Sequence, residues 1–258
     1  MCLAFFAVGI HPTYKLIVAT NRDEFYQRKT EDAHFWADHP TLVGGRDLEG
    51  GGTWMGMTRG GRISLLTNYR DPLHIDPQAP TRGALVSDYL IGTESPDAYL
   101  QHIAQNGRQY NGFNLVMGHP DQLWYYSNYK EGVDKLPPGF YGLSNHLLET
   151  PWPKVVRGKE KIKPLLLQQT LQPDELFTAL YDEHRAPKDA LPNTGLTLDR
   201  EEALSSMFIK TGSYGTRCST VVLVDHDNHV RYTERVYDLS TFAYRQNDFT
   251  FTIESPTV

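Results

Sequence analysis

The strongest constraint on the fold lies at the two ends of the chain. Near the start, the apolar runs CLAFFAVGI (2–10) and YKLIVAT (14–20) stand on either side of HPT. Near the end, STVVLVD (219–225) and VRYTERV (230–236) flank HDNH. Short runs rich in β-branched and aromatic residues, broken by Pro, Asn, Asp or His, read as strands joined in hairpins. Such apolar strands need another layer to bury them, so the chain must build at least one large sheet with a cover.

Between these hairpins the pattern changes. TWMGM and RISLLTN read as a strand pair around TRGG, and GFNLVMG and QLWYYSN as another around HPD. The stretch before them, ending in GGRDLEGGGTW, is polar and glycine-dense and reads as loop. TRGALVSDYLIG carries apolar residues at helical spacing with Thr81 as N-cap. SPDAYLQHIAQNG offers Ser95 as cap, Pro96 at the first helical position and Gly107 as the stop. From Pro151 to about residue 184 the pattern is helical; the densest basic run, KVVRGKEKIK (154–163), reads as a solvated helix face. Residues 185–215 read as loops near or over a site, and DFTFTIE as a final strand. The expectation is one α+β domain over residues 1–258, with two sheets or one large sheet covered by helices.

Composition excludes several classes. With a net charge of −6 the chain has no electrostatic footprint for nucleic acid. Two cysteines, Cys2 and Cys218, rule out a disulfide scaffold. No apolar run approaches the ~20 residues of a membrane span, so the expectation is a soluble, cytoplasmic protein with no integral membrane segment. HExxH, GxSxG and P-loop patterns are all missing from the sequence.

The candidate chemistry begins at Cys2. Removal of the initiator methionine would make it the first residue, with a nucleophilic thiol and an α-amine of ordinary pKa ~7.7–8.0 to act as base. Equally, Cys2 can be a small apolar residue opening a buried strand. In ATNRDEF (19–25), Arg22 can neutralise a thiolate or a substrate carboxylate, and Asp23 can orient an amine; a salt-bridge cluster at a strand end is the plainer alternative. Side chains alternate along a strand, so Asn21 and Asp23 would share one face and Arg22 the other unless the strand has ended. Asn68 in LLTNYRDP and Asn145 in YGLSN can donate to an oxyanion, as can Asn111 and Asn114. Alternatively Asn68 forms a turn, and Asn145 opens a helix. Arg217 in SYGTRCSTVV can bind an anionic group, while Cys218 reads as structural. Asp225, His226, Asp227 and His229 resemble metal ligands, but they occupy a hairpin turn where polar residues belong.

The ordered set Met-Cys, ATNRDEF, GGTWMG, LTNYR, YNGFNL, YGLSN with LETPWPK, and GTRCSTVVLVD runs through most of the chain. It resembles the NRDE family of transport and Golgi organisation 2 proteins. That family in turn resembles the N-terminal nucleophile hydrolases, which implies a four-layer αββα sandwich of two largely antiparallel sheets covered by helices. The analogy to the branch that cleaves linear amides implies Cys2 as nucleophile, Arg22 as its electrostatic partner and Asp23 as orienter of the amine. It also implies Asn68 and Asn145 at the oxyanion, with Arg217 completing the site. In that branch the Arg and Asp are separated by two residues; here they are adjacent.

Two functions follow. One is a cysteine amidohydrolase acting on a small linear amide, with no cofactor required. The other is a binding or trafficking protein for a hydrophobic ligand such as haem or acyl-coenzyme A, with Trp36, Trp54 and Tyr69 as pocket aromatics. The partner in either case is a small molecule; the sequence leaves its identity and the oligomeric state open.

Overall fold

The structure, a computed structural model, describes residues 2–254. In chain order its elements are β1 (Cys2–Val8), β2 (Tyr14–Phe25), β3 (Thr30–Phe35), β4 (Leu42–Asp47), β5 (Met55–Thr58) and β6 (Ile63–Asn68), then helices α1 (Gly83–Ile91) and α2 (Pro96–Asn106). There follow β7 (Phe113–His119), β8 (Gln122–Ser127), β9 (Asp134–Lys135) and β10 (Gly139–Leu143), then α3 (Pro153–Ile162), α4 (Pro173–Leu180) and α5 (Leu198–Ala203). The chain closes with β11 (Tyr214–Asp225), β12 (His229–Tyr237) and β13 (Tyr244–Thr252).

Among the described residues two antiparallel sheets form, ordered β10-β1-β2-β11-β12-β13 and β3-β4-β5-β6-β7-β8-β9. Both terminal hairpins lie in the first sheet, so the two ends of the chain share it. Strand alternation separates the layers. On β1, Ala4, Phe6 and Val8 face the second sheet, whereas Leu3, Phe5 and Ala7 face the helix layer that includes Val155, Ile162, Leu176 and Phe177 of α3 and α4. Leu85 and Tyr89 of α1, with Leu100 and Ile103 of α2, cover the outer face of the second sheet. The result is an αββα sandwich, held by fully buried side chains such as Phe5, Phe6 and Phe113, each worth roughly 1.5–3 kcal/mol. Gly158 sets the approach of α3 to β1: a Cβ there would stand 2.0 Å from Phe5 Cζ.

Four expectations are corrected. The polar stretch before Trp54 is not all loop: it contains β3 and β4, and Gly44–Gly45 lie in β4. Glycine is required there because a Cβ on Gly45 would stand 2.2 Å from the Trp54 ring, so the residues that suggest a loop are there for packing. Helix α1 takes Arg82, not Thr81, at its N-cap position. Asn145 opens no helix; it follows β10, and α3 begins at Pro153. The basic run 154–163 is not uniformly solvated, since Lys154 is buried with Val155, Gly158 and Ile162. Among the described residues no helix is long and apolar enough to cross a membrane.

Candidate active site

The strand carrying NRDE does not end at Thr20. β2 continues to Phe25 and lies inside the first sheet, between β1 and β11. Asn21, Arg22 and Asp23 are therefore not a solvated strand end: their exposures are 0%, 5% and 0%. Cys2 pairs with Arg22, and Arg22 with Cys218, across three adjacent strands. Cross-strand partners project to the same face, so Cys2, Arg22 and Cys218 form one row. With strands ~4.8 Å apart, the outer two cysteines have Cα atoms roughly 9–10 Å apart, beyond disulfide reach, and both thiols are free. The Arg22 guanidinium lies 4.0 Å from the centre of the Trp54 ring.

Asn21 and Asp23 point to the opposite, helix-covered face, as alternation requires. Asn21 is anchored there: Nδ2 donates to the carbonyls of Leu180 (3.1 Å) and Met207 (2.8 Å), and Oδ1 accepts from Ser219 Oγ (2.6 Å). Asp23 Oδ1 accepts from Thr216 Oγ1 at 2.7 Å. Burial raises the Asp23 carboxyl above the ordinary aspartate range, and Lys154 opposes that rise. Lys154 is itself buried, and desolvation brings its ammonium down to about 8 despite attraction to Asp23. Its Nζ lies 3.4 Å from Asn145 Oδ1. Asn145 Nδ2 donates to the Asn68 carbonyl at 3.0 Å, and the Arg70 N–H donates to the Asn145 carbonyl at 2.7 Å. A second buried pair, Arg70 and Glu201, adjoins them. Two acids and two bases thus gather behind the Cys2 end of the sheet.

Burial also pushes the Cys2 thiol up from its ordinary value, with the Asp23 charge acting the same way. A thiol held protonated is a poor nucleophile unaided. The Asp23 backbone N–H, which donates to the sulfur, and Arg22 favour the thiolate.

Cys2 lines a constriction of about 10 Å³ with Arg22, Trp54 and Thr67. Larger openings flank it. One, about 590 Å³, is lined by Asn68, Tyr69, Arg70, Arg82, Glu24 and Tyr214, and by Leu196, Ala203 and Leu204 from the segment expected to lie over a site. The other, about 570 Å³, is lined by Arg22, Trp54, Arg217, Cys218 and Glu234. The first of these, the wide cleft, touches Asn68, and its Tyr214 hydroxyl donates to the Asp23 carbonyl at 3.1 Å.

Of the residues singled out by sequence, Cys2 and Arg22 share a face, and Asn68 and Asn145 are joined by a hydrogen bond. Asp23 approaches from behind the sheet. Arg217 stands apart on the second opening, where its guanidinium donates to the backbone carbonyls of Phe25 and Arg28. Asn114 is satisfied by Thr67, His146 and Tyr125, and Asn111 by Asp76. Both hold structure together. Trp36 is buried against α1, with Nε1 donating to the Gly44 carbonyl. At the hairpin turn, atoms of Asp225, Asp227 and His229 lie within 4.8 Å of one another, but Asp225 accepts from the N–H groups of Asp227 and His229 and from the His229 ring. That carboxylate is occupied in closing the turn.

Sequence reading missed Lys154, Arg70, Glu201, Arg82 and Glu234. Only Lys154 left a signal, a charge placed on the apolar stripe of α3. Glu234 is 1% exposed; its Oε2 accepts from the Ala33 N–H at 2.6 Å, and among the described residues Oε1 has no partner. Burial pushes this carboxyl up to about 7.

A model of the family described as Transport and Golgi organisation 2 matches residues 1–239. The human Transport and Golgi organization protein 2 homolog is 38% identical, over 97% of this chain and 99% of its own. The mouse homolog is 36% identical over 99% and 100%. Among solved structures, a Caenorhabditis elegans N-acylethanolamine-hydrolyzing acid amidase ortholog superposes with a TM-score of 0.53 at 11% identity, over 86% of this chain and 92% of its own. At that identity the likeness concerns the fold alone, the sandwich of two antiparallel sheets between helices.

Proposed function

The chain belongs to the Transport and Golgi organisation 2 family, and from the arrangement around Cys2 we propose that it is an N-terminal cysteine amidohydrolase acting on a linear amide. The observation that carries this reading is the row of half-buried Cys2 beside buried Arg22, with buried Asp23 behind it, within a central part of the first sheet. Burying three polar residues in succession is costly where only packing is needed. The fold shared with an amidase supports the same reading.

The reaction requires that Cys2 become the first residue. Its thiol, held protonated by burial, then has its own α-amine as the adjacent base. The sulfur attacks the amide carbon, a C–S bond forms, and the thiol proton passes to the α-amine. The oxyanion accepts hydrogen bonds from the Asn68 amide and from the second N–H of Asn145 Nδ2, whose first is given to the Asn68 carbonyl. Lys154 fixes the Asn145 amide by holding its oxygen. The C–N bond breaks as the α-ammonium returns its proton to the leaving amine. Water then attacks the thioester carbon and gives a proton to the α-amine; the C–S bond breaks, the α-ammonium returns that proton to the Cys2 sulfur, and the carboxylic acid leaves. Arg22 stabilises the thiolate character of Cys2, and Asp23 holds the α-ammonium.

The apolar lining of the wide cleft favours a second reading, a carrier of a hydrophobic ligand such as an acyl chain. Haem suits the cleft less well. Its lining side chains able to ligate iron are Tyr69 and Tyr214, and both hydroxyls are engaged, with His146 and the Asp23 carbonyl. The deciding experiment is hydrolysis of N-decanoyl amides by wild type, Cys2→Ser and Cys2→Ala, each checked for folding by circular dichroism. Turnover by wild type that both substitutions abolish supports the hydrolase. Full turnover by Cys2→Ala removes it.

A further inference from the structure

The wide cleft holds hydrogen-bond donors in excess. Each of its acidic side chains already has a partner: Glu24 accepts from the Phe25 N–H (2.8 Å), Asp71 from Tyr129 and His74, and Asp199 pairs with Lys188. The arginines are different. Arg70 gives Nη1 to Glu201, and its Nε and Nη2 are buried without a partner among the described residues. These two nitrogens form the edge of the guanidinium that grips a carboxylate through two parallel hydrogen bonds. An unpartnered buried donor pair in a native fold calls for an occupant.

Arg82 adds a second cation. Its Nη1 donates to the Gly112 carbonyl at 2.9 Å, the same oxygen that accepts from the Tyr69 N–H at 2.9 Å. The guanidinium is thereby fixed beside the segment that carries Arg70. Among the described residues it makes no other hydrogen bond, and the Cys2 and Glu24 charges lie near enough to influence it. The remaining lining is apolar, with Phe25, Ile75, Leu196 and Leu204 prominent.

We infer that Arg82 and the Nε/Nη2 edge of Arg70 determine specificity, by binding a carboxylate that the substrate carries close to its scissile amide, while the apolar remainder fills the cleft. The simplest such molecule is an N-acyl amino acid. The amide depends on the hydrolase reading above; the anion site does not.

The test measures binding, so it is independent of turnover. In a Cys2→Ala background, N-decanoylglycine and N-decanoylethanolamine are titrated by calorimetry; they differ by carboxylate against hydroxyl. The expected result is a preference for the glycine conjugate of about tenfold or more, the worth of a charge-assisted hydrogen bond. Arg82→Gln, which breaks one bond to a loop carbonyl, lowers that preference. Arg70→Lys lowers it as well, because an ammonium keeps the charge and loses the fork. Equal affinity for the two ligands, or a preference unchanged in Arg82→Gln and in Arg70→Lys, overturns the inference. Should Arg70→Lys fail to fold, Arg82→Gln and the ligand comparison still decide. Binding preference without amide turnover by the wild type removes the hydrolase and leaves the anion site. Cys2-dependent turnover without the preference does the reverse.

Discussion

Glu234→Gln provides a quantitative check on the electrostatics of the buried face. The native carboxyl titrates at about 7 against an ordinary 4.5. In that window the folded protein holds a proton that the unfolded chain has released. Stability therefore falls as pH rises through it. At 1.36 kcal/mol per unit, the full displacement corresponds to about 3 kcal/mol. Between about pH 5 and about pH 8.5 the expected loss is roughly 2–3 kcal/mol, since part of the unfolded-state titration is over by pH 5. Glutamine does not titrate, so urea unfolding followed by circular dichroism should show the variant gaining on the wild type by about that amount between the two pH values. The absolute offset also contains about 1–3 kcal/mol for the amide N–H groups placed where Oε1 lacks a partner. The change with pH isolates the ionisation. An offset constant to within about 0.5 kcal/mol would refute the claim that Glu234 is buried in its charged form above neutrality.

Two further substitutions probe the face behind Cys2. Lys154→Met removes the cation beside Asp23, and urea unfolding at neutral pH should show a loss of about 3–5 kcal/mol, the cost of leaving a buried partner uncompensated. Because the Lys154 ammonium sits at about 8 against an ordinary 10.5, the unfolded chain binds more protons between those values; this residue's share of stability rises with pH there, and the methionine variant lacks that slope. Asn21→Leu leaves the Leu180 and Met207 carbonyls and the Ser219 hydroxyl without their amide, so a melting experiment should show about 2–4 kcal/mol of destabilisation; no measurable change would mean that water replaces the amide.

Much of the layer order was legible because alternation is a local property. CLAFFAV and YKLIVAT each present one face to the second sheet and one to the helices, and their period shows in the residues themselves. The same rule placed Arg22 on one face and Asn21 with Asp23 on the other. What the sequence hid was depth: NRDE reads as a polar strand end, yet the strand continues to Phe25 because β11 pairs alongside it as far as Tyr214. β4 was concealed by glycines, of which Gly45 is there for Trp54, a tertiary contact, and β3 by its polar residues, TEDAHF. Lys154, Arg70 and Glu201 come from three separate segments and meet only in the fold, so no local pattern could join them. The placement of Arg217 was hidden for a related reason. The pairing register shifts between Thr216 and Cys218, and Arg217 lies at that irregularity, on the second opening.

The central claim is that Cys2 acts as an amino-terminal nucleophile, and intact mass spectrometry of the untagged protein tests it most directly. The account predicts a mass short of the initiator methionine, leaving the Cys2 amine free. A protein that keeps its methionine and still hydrolyses amides would contradict it.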